Sequence, residues 1–191
     1  MSNFLLRNPE AVHIHIPKTG GSTIRIGVWG GKNNGGYEGP RFGEMPKEWE
    51  KYWKFAVVRH PMLRWWSAYR DFKHLRGYKG SPDDFAKVTL DTSIQSVRVA
   101  GGVTPENIRH HTVPMMAPEL CLDYADDVYR YETNFDEVVK AICEKVGRPM
   151  PEELPRLRET PPTVEDALSR DVEKRLIEFY SKDFKELGYV P

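Results

Sequence analysis

The sequence has 191 residues, of which 39% are hydrophobic and 29% charged, and its 28 basic and 28 acidic side chains give a formal net charge of zero. This composition is typical of a soluble globular protein, and we expect a single domain over residues 1–191. The balanced charge argues against a surface built for nucleic acid, and no apolar run has the length of a membrane helix. We therefore expect no nucleic-acid partner, no membrane anchor and a cytoplasmic location.

Residues 13–24, HIHIPKTGGSTI, join an apolar strand to a helix through a glycine turn. The alternating apolar residues before Pro17 predict the end of a buried strand, because proline has no N–H to donate to a sheet. Gly20 and Gly21 then allow a tight turn with an exposed backbone. The stretch thus predicts a strand, a turn and a helix start in immediate succession.

This turn has the features of an anion-binding site. Ser22 or Thr23 can begin the following helix, and the N–H groups of its first turn point to the same place as the helix dipole. Lys18 adds a full positive charge beside them. Because this lysine precedes both glycines, the stretch is not the usual phosphate-binding loop of nucleotide hydrolases.

A second motif, FAVVRHPMLRWWSAY, occupies residues 55–69. It predicts a buried strand, then Arg59 at the end of that strand, then a helix that begins at Pro61. An arginine at such a point can hold a phosphate through two parallel hydrogen bonds. Ser67 lies two turns into the helix and can face the same anion. Arg64 can either help to hold the anion or face the solvent.

Together the two motifs resemble those of sulfotransferases that use 3′-phosphoadenosine 5′-phosphosulfate (PAPS), and the carbohydrate-type branch of that family in particular. Residues 15–23 resemble the family's 5′-phosphosulfate loop, and residues 55–69 resemble its 3′-phosphate site. The resemblance implies an α/β fold similar to that of nucleotide kinases, with a mainly parallel sheet of about four or five strands flanked by helices. It also implies PAPS as co-substrate, adenosine 3′,5′-bisphosphate as product, and no metal. The donor-binding residues that it implies are Pro17, Lys18, Thr19, Gly20, Gly21, Ser22, Thr23, Arg59 and Ser67.

The resemblance also bears on the catalytic groups. Lys18 would stabilise the charge on the leaving group, because sulfuryl transfer, like phosphoryl transfer, depends mainly on positioning and electrostatics. Many similar sequences carry a histidine base between the two motifs, but this chain has no histidine between His15 and His60. Glu38 is the proton acceptor nearest to that position, and we expect it to be the general base.

Other assignments of the base are open at the level of the sequence. Glu38 lies in a glycine-rich segment, residues 30–45, that we expect to be a loop, and there it can equally be a solvated acid. His15, Glu44 and His111 are alternative bases. The segment around His111 fits an element of the carbohydrate-type branch, although this histidine and the one before it can equally be a polar pair on an edge strand.

The remaining sequence predicts further strands and helices. These are strands over residues 53–58 and 127–131, helices that begin near residues 81 and 134, and a final amphipathic helix, open to a bend, over residues 169–187. The helix that begins at Ser81 is expected to run towards Val99, with room for a break near Asp91, and to end at Gly101. Five prolines within residues 148–162 predict an extended connector.

From these features we expect a PAPS-dependent sulfotransferase that acts on a hydroxyl or an amine of a carbohydrate or another small polar acceptor. Two other functions are open. A kinase or nucleotide hydrolase of the P-loop type would use a similar turn, but the sequence has no evident acid for Mg²⁺. A non-catalytic protein that binds PAPS or the bisphosphate would keep the anion sites and lack the base.

Overall fold

The computed structural model of the protein describes residues 2–42, 44–97, 102–157 and 167–191. The strands within these residues are β1 Ser2–Leu6, β2 Ala11–Ile14, β3 Tyr37–Phe42, β4 Lys54–Val58 and β5 Asp127–Arg130. The α-helices are α1 Pro61–Arg70, α2 Pro82–Leu90, α3 Pro105–Thr112, α4 Phe135–Val146, α5 Arg170–Phe179 and α6 Ser181–Glu186. Segments Thr23–Val28 and Asp71–Leu75 are π-helical. Short 3₁₀ helices span Lys32–Asn34, Lys47–Trp49, Pro118–Leu120, Leu122–Tyr124 and Tyr131–Thr133.

The chain divides into two compact units. The first comprises Met1–Arg59 and Ala117–Leu157, and the second comprises His60–Met116 and Arg158–Pro191. The sheet and α4 belong to the first unit, and the other α-helices belong to the second. The second motif is divided between the units directly after Arg59. The expectation of a single domain stays a prediction.

The first unit is built on an open sheet with the strand order β3-β1-β2-β4-β5. β2, β4 and β5 are parallel neighbours, whereas β1 is antiparallel to both β2 and β3. The α/β class, the number of strands and the flanking helices are confirmed, and the parallel pairing is confined to one side of the sheet. Antiparallel pairing of β1 and β2 is dictated by their short connection, because residues 7–10 are too few for a parallel crossover.

Strand β3 corrects the prediction of a loop over residues 30–45. Its backbone pairs with β1, where Leu6 lies opposite Tyr37. The local sequence misled the prediction because Gly39 and Pro40 are poor strand formers. Since β3 lies at the edge of the sheet, the missing N–H of the proline is tolerated there. The pairing with β1 therefore overrides the local preference of the segment.

One face of the sheet packs against the π-helix Thr23–Val28 and α4. Alternate residues of a strand point to the same face, so β1, β2 and β4 each contribute every second side chain to this core. Its buried residues are Phe4, Leu6, Ala11, Ile24, Val28, Trp29, Phe55, Val57, Val138, Val139, Ile142 and Cys143. This core fixes β2 and the π-helix on either side of the glycine turn.

The second unit is helical, and aromatic side chains dominate its core. The buried core residues are Trp65, Ala68, Tyr69, Phe72, Phe85, Ala86, Ile108, Leu176, Tyr180 and Phe184. The predicted start of α2 is confirmed, since Ser81 and Asp84 each accept from the other's backbone N–H in a capping box. The final amphipathic helix does bend: α5 ends at Phe179, and α6 begins at Ser181.

Two predictions extend to residues outside the described ranges. Helix α2 ends at Leu90 with Asp91 as its C-cap, and Val99 and Gly101 lie outside those ranges. The connector has neither helix nor strand over residues 148–157, as predicted, and residues 158–162 lie outside the described ranges.

Helix α3 corrects the prediction of a polar pair on an edge strand. It begins after Thr104, whose side chain accepts from the backbone N–H of Asn107, and Pro105 occupies its first turn. His110 and His111 therefore lie in the last turn of a helix. The capping threonine followed by proline was a helix signal, and the sequence prediction undervalued it.

Arg64 is a structural residue of the second unit. Its side chain is fully buried, and its guanidinium donates to the carbonyl oxygens of His111 at 3.2 Å, Thr112 at 3.4 Å and Val113. The last carbonyl groups of a helix have no partner within the helix, so Arg64 supplies the C-terminal cap of α3. Neither of the two roles that the sequence left open, an anion ligand or a solvent-facing residue, fits this position.

His13 is an unusual core residue on β2. It is fully buried, and its ring stacks on Phe55 with centroids 5.0 Å apart and an interplanar angle of 4°. Within the described part of the chain, neither ring nitrogen has a hydrogen-bond partner. Burial, and then the positive charge of Arg25, holds the pKa of His13 well below its ordinary value. The folded protein therefore keeps this ring neutral at pH values at which the unfolded chain protonates it.

We predict that mild acid destabilises the protein in part through His13. Below about pH 6.5 the unfolded chain binds a proton that the folded chain does not bind at this site, so the free energy of unfolding falls by up to about 1.4 kcal/mol per pH unit. His13→Phe, which keeps a flat ring against Phe55, should flatten this dependence in urea titrations between about pH 6.5 and 5. His74→Phe, at an exposed position, is the control. An unaltered slope in His13→Phe would contradict the prediction.

Candidate functional site

The shape of the turn after β2 depends on two positive φ angles and on a hydrogen bond of Thr19. Lys18 and Gly20 have positive φ angles of 71° and 80° on either side of Thr19. The threonine is fully buried, and its hydroxyl donates to the carbonyl oxygen of Ile16 at 2.8 Å. Positive φ is uncommon for a residue other than glycine, and such strained residues cluster at functional sites. Thr19 therefore shapes the turn, and the turn holds Lys18 in a strained conformation.

Two glycines let neighbouring side chains press against the turn. A Cβ at Gly20 would lie 2.3 Å from Cζ of Phe135. A Cβ at Gly21 would lie 2.4 Å from Cδ2 of His15 and 2.9 Å from Nη1 of Arg25. Side-chain atoms do not approach a Cβ this closely, so both glycines are needed for packing as well as for backbone freedom.

The helix after the turn is π-helical over Thr23–Val28 and is braced by the connector. Ser22 makes no capping hydrogen bond in the described structure, and the hydroxyl of Thr23 donates to the carbonyl oxygen of Pro155 at 2.9 Å. Pro155 also packs on the helix, since a Cβ at Gly27 would lie 2.7 Å from its Cδ. The helix begins at Thr23 with Ser22 as its N-cap residue, which confirms the predicted helix start. π-Helical segments occur frequently at functional sites.

Arg59 brings the second motif to the turn. It follows β4, and because β4 is parallel to β2, the carboxyl ends of the two strands lie side by side. Its Nη1 donates to the carbonyl oxygen of Lys18 at 3.4 Å, and its guanidinium lies 4.5 Å from the centre of the Tyr131 ring. Two predicted site residues that are 41 positions apart in the sequence thus lie in contact.

The remaining predicted donor-binding residues are distributed between the units. Pro17 is buried at the start of the turn that follows β2. Ser67 is half-buried on α1 and belongs to the second unit. Its part in binding a 3′-phosphate stays a prediction.

Glu38 is placed away from the turn. It is exposed on β3, and its Oε2 accepts from Nη2 of Arg7 at 2.8 Å. Arg7 directly follows β1, so it lies at the amino end of β2, whereas the turn lies at the carboxyl end of that strand. The structure therefore does not bring Glu38 to Lys18, and the prediction that Glu38 is the base gains no support from this geometry.

Both ring nitrogens of His111 are engaged within the second unit. Nδ1 lies 2.8 Å from the carbonyl oxygen of Asn107 and therefore donates, because a carbonyl oxygen only accepts. Nε2 lies 3.1 Å from Nη2 of Arg76 and therefore accepts, because a guanidinium only donates. Arg76 is in turn paired with the buried carboxylate of Asp71 at 2.6 Å. These contacts assign the neutral Nδ1–H form and leave His111 a structural part of α3.

The other two candidate bases have different positions. Glu44 is exposed, and its backbone carbonyl accepts from the side chain of Asn3 at 3.0 Å. His15 is half-buried and lies against the turn, where its Nε2 is 2.8 Å from the Cβ position of Gly21. Among the candidate bases, His15 is thus the one that the structure brings into contact with the turn.

The sequence prediction missed the aromatic residues that surround the turn. Tyr131 lies beneath the guanidinium of Arg59, and Phe135 fills the space beside Gly20. Both lie in the first unit, beyond the whole second motif along the chain. Tyr131 lies in the 3₁₀ helix Tyr131–Thr133 and Phe135 is the first residue of α4, so no helical periodicity links them, and nothing in their spacing indicates Arg59 or the turn as the partner.

Comparisons of the chain with models of protein families, with curated proteins and with solved structures find no match. Among the residues that the structure describes, no helix is both long and apolar enough to cross a membrane. A function for the protein must therefore be argued from the chemistry of the turn and its neighbours.

We predict that Gly20→Ala destabilises the protein by about 2–4 kcal/mol in urea unfolding, because it adds a clash with Phe135 to the strain of a positive φ. Gly35→Ala is the matched control. Gly35 also has a positive φ, of 67°, but no atom lies within 4 Å of its Cβ position, so only the strain of about 1 kcal/mol applies. Equal losses of unfolding free energy in the two variants would show that the Phe135 ring moves aside without destabilising the protein, and would contradict the prediction.

Proposed function

We propose that this protein is a sulfotransferase that transfers a sulfuryl group from PAPS to a hydroxyl or an amine of a carbohydrate or another small polar acceptor. The observation that carries the proposal is the contact of Arg59 with the turn, where its Nη1 lies 3.4 Å from the carbonyl oxygen of Lys18. PAPS is anionic at both its 5′-phosphosulfate and its 3′-phosphate, and it needs two cationic contacts. Lys18 with the turn would supply the first, and Arg59 would supply the second.

The residues at the turn fit such a ligand. The N–H groups in the first turn of a helix have no partner within the helix and carry partial positive charge, which favours a bound anion. Lys18 and Arg59 are both half-buried. Charge-assisted hydrogen bonds are stronger where water is partly excluded, so these two cations would bind an anion better than exposed ones.

In the proposed reaction, the bond from sulfur to the 5′-phosphate oxygen breaks and a bond from sulfur to the acceptor oxygen or nitrogen forms. The 5′-phosphate of adenosine 3′,5′-bisphosphate leaves with the negative charge, and the acceptor loses a proton. Lys18 would stabilise the charge that develops on the leaving oxygen. His15, beside Gly21, is the candidate base that this proposal assigns to this end of the site, because it contacts the turn.

The contacts of two other candidate bases favour a second function, a non-catalytic protein that binds PAPS or the bisphosphate. Glu38 is paired with Arg7 at the amino end of β2, and His111 uses both ring nitrogens within the second unit. Such a protein would keep the contacts of Lys18 and Arg59 with the ligand and would lack turnover.

We predict that adenosine 3′,5′-bisphosphate raises the melting temperature well beyond adenosine 5′-monophosphate at equal concentration and without Mg²⁺. A ligand at 100 times its Kd stabilises a protein by about 2.7 kcal/mol, so the shift is easily measured. Arg59→Ala should weaken binding of the bisphosphate by about ten- to a hundredfold, because it removes a charge-assisted hydrogen bond to the 3′-phosphate.

Arg7→Ala is the control for this measurement, since Arg7 lies at the amino end of β2 and pairs with Glu38. It should bind both nucleotides like the unmodified protein. Equal shifts by the two nucleotides in the unmodified protein would refute the 3′-phosphate contact.

We predict that Lys18→Ala lowers turnover by about 10²–10³ while it changes the Kd of the bisphosphate much less, because the lysine acts mainly on the charge that develops in the transition state. Turnover is measured as release of the bisphosphate from PAPS with a panel of sugar acceptors. Lys32→Ala, at an exposed lysine, is the control. Tight binding of the bisphosphate by the unmodified protein, with no release from PAPS on any acceptor, would favour the non-catalytic function.

A further inference from the structure

Tyr131 and Phe135 form an aromatic pair in the first unit. Their ring centroids are 4.9 Å apart, and the planes are inclined by 32°. Tyr131 begins the 3₁₀ helix Tyr131–Thr133 directly after β5, and Phe135 is the first residue of α4. Asn134 turns the chain between them with a φ of 78°, and its side chain accepts from the N–H of Asp136. The backbone therefore fixes both rings at the end of a strand and the start of a helix.

The Tyr131 ring holds the guanidinium of Arg59. The central carbon of the guanidinium lies 4.5 Å from the ring centroid, within the range of a cation–π contact. Arginine has a long side chain with many rotamers, and stacking on a ring removes much of that freedom before a ligand arrives. Because Nη1 of Arg59 also donates to the carbonyl oxygen of Lys18, both the ring and the turn contact the guanidinium.

The Phe135 ring holds the turn itself. Three of its carbons lie 2.3, 2.5 and 3.1 Å from the position that a Cβ of Gly20 would occupy. The ring therefore fills the place of a side chain on the turn and limits its movement. The contacts form a closed path: Lys18 to Arg59, Arg59 to Tyr131, Tyr131 to Phe135, and Phe135 to Gly20.

We propose that Tyr131 and Phe135 are positioning residues that hold the two anion-binding groups of the donor site in a fixed arrangement, Tyr131 by orienting Arg59 and Phe135 by supporting the turn. This inference rests on the proposed function. Neither ring needs to touch the ligand for this role. Tyr131 acts on the 3′-phosphate through Arg59, and Phe135 acts on the 5′ end through Gly20.

The two rings therefore affect different parts of the ligand. Isothermal titration calorimetry with adenosine 3′,5′-bisphosphate and with adenosine 5′-monophosphate separates them, because only the bisphosphate carries the 3′-phosphate. Tyr131→Leu should reduce the ratio of the two affinities by about two- to thirtyfold and leave the monophosphate nearly unaffected. Tyr131→Phe keeps the ring and should keep the ratio. Phe135→Leu should weaken both nucleotides by a similar factor.

A double-variant cycle tests whether Tyr131 acts through Arg59. In the Arg59→Ala background, Tyr131→Leu should cause no further loss of the ratio. Tyr124→Leu is the matched control, because this tyrosine lies in the same unit and is 54% exposed. Circular dichroism and urea unfolding establish that each variant is folded, and Tyr131→Met replaces Tyr131→Leu if the latter does not fold.

The outcomes separate this inference from the proposed function. An unmodified protein that binds the two nucleotides equally overturns both. A protein that distinguishes them, with a ratio unaltered by Tyr131→Leu, overturns the positioning role alone. Equal weakening of both nucleotides by Tyr131→Leu shows a direct contact with the nucleoside and also overturns it. If neither Tyr131→Leu nor Tyr131→Met folds, Tyr131 is a core residue and the inference fails.

Discussion

The parallel pairing of β2 and β4 is the constraint on which the candidate site depends. Parallel neighbours end at the same edge of a sheet, so the turn after β2 and Arg59 after β4 are adjacent although a long segment of chain separates them. The π-helix and α4 pack on one face of the same sheet and fix both strands from that side. The Phe135 ring at the start of α4 reaches the turn because α4 follows β5, the next parallel neighbour.

Several polar residues with a conceivable role in ligand binding are instead satisfied by the protein. Arg64 caps α3, His111 is held between Asn107 and Arg76, and Thr19 closes the turn. A buried polar group is costly unless it is hydrogen-bonded, and the backbone of the same unit is often its nearest partner. The type of a polar residue alone therefore does not show whether it bonds to the protein or to a ligand.

Local signals in the sequence were sufficient for the elements that lie next to the site. The strands before Pro17 and Arg59, and the helix starts at Ser81 and Asn134, were predicted from turn and capping residues and are present. β3 was not predicted, because its stability comes from pairing with β1 and not from its own residues.

The contacts around the turn could not be predicted from the sequence, for a different reason. The proximity of Phe135 to Gly20 depends on how α4 packs on the sheet, and the pattern of apolar residues in the sequence does not show which residues a helix will contact. The same holds for Glu38, whose distance from the turn follows from the register of an edge strand.

Because the first unit resumes only at Ala117, β5 and α4 leave the ribosome after the whole segment His60–Met116. Until then the newly made β4 has an open parallel edge, which during synthesis is a surface for mispairing with other nascent chains.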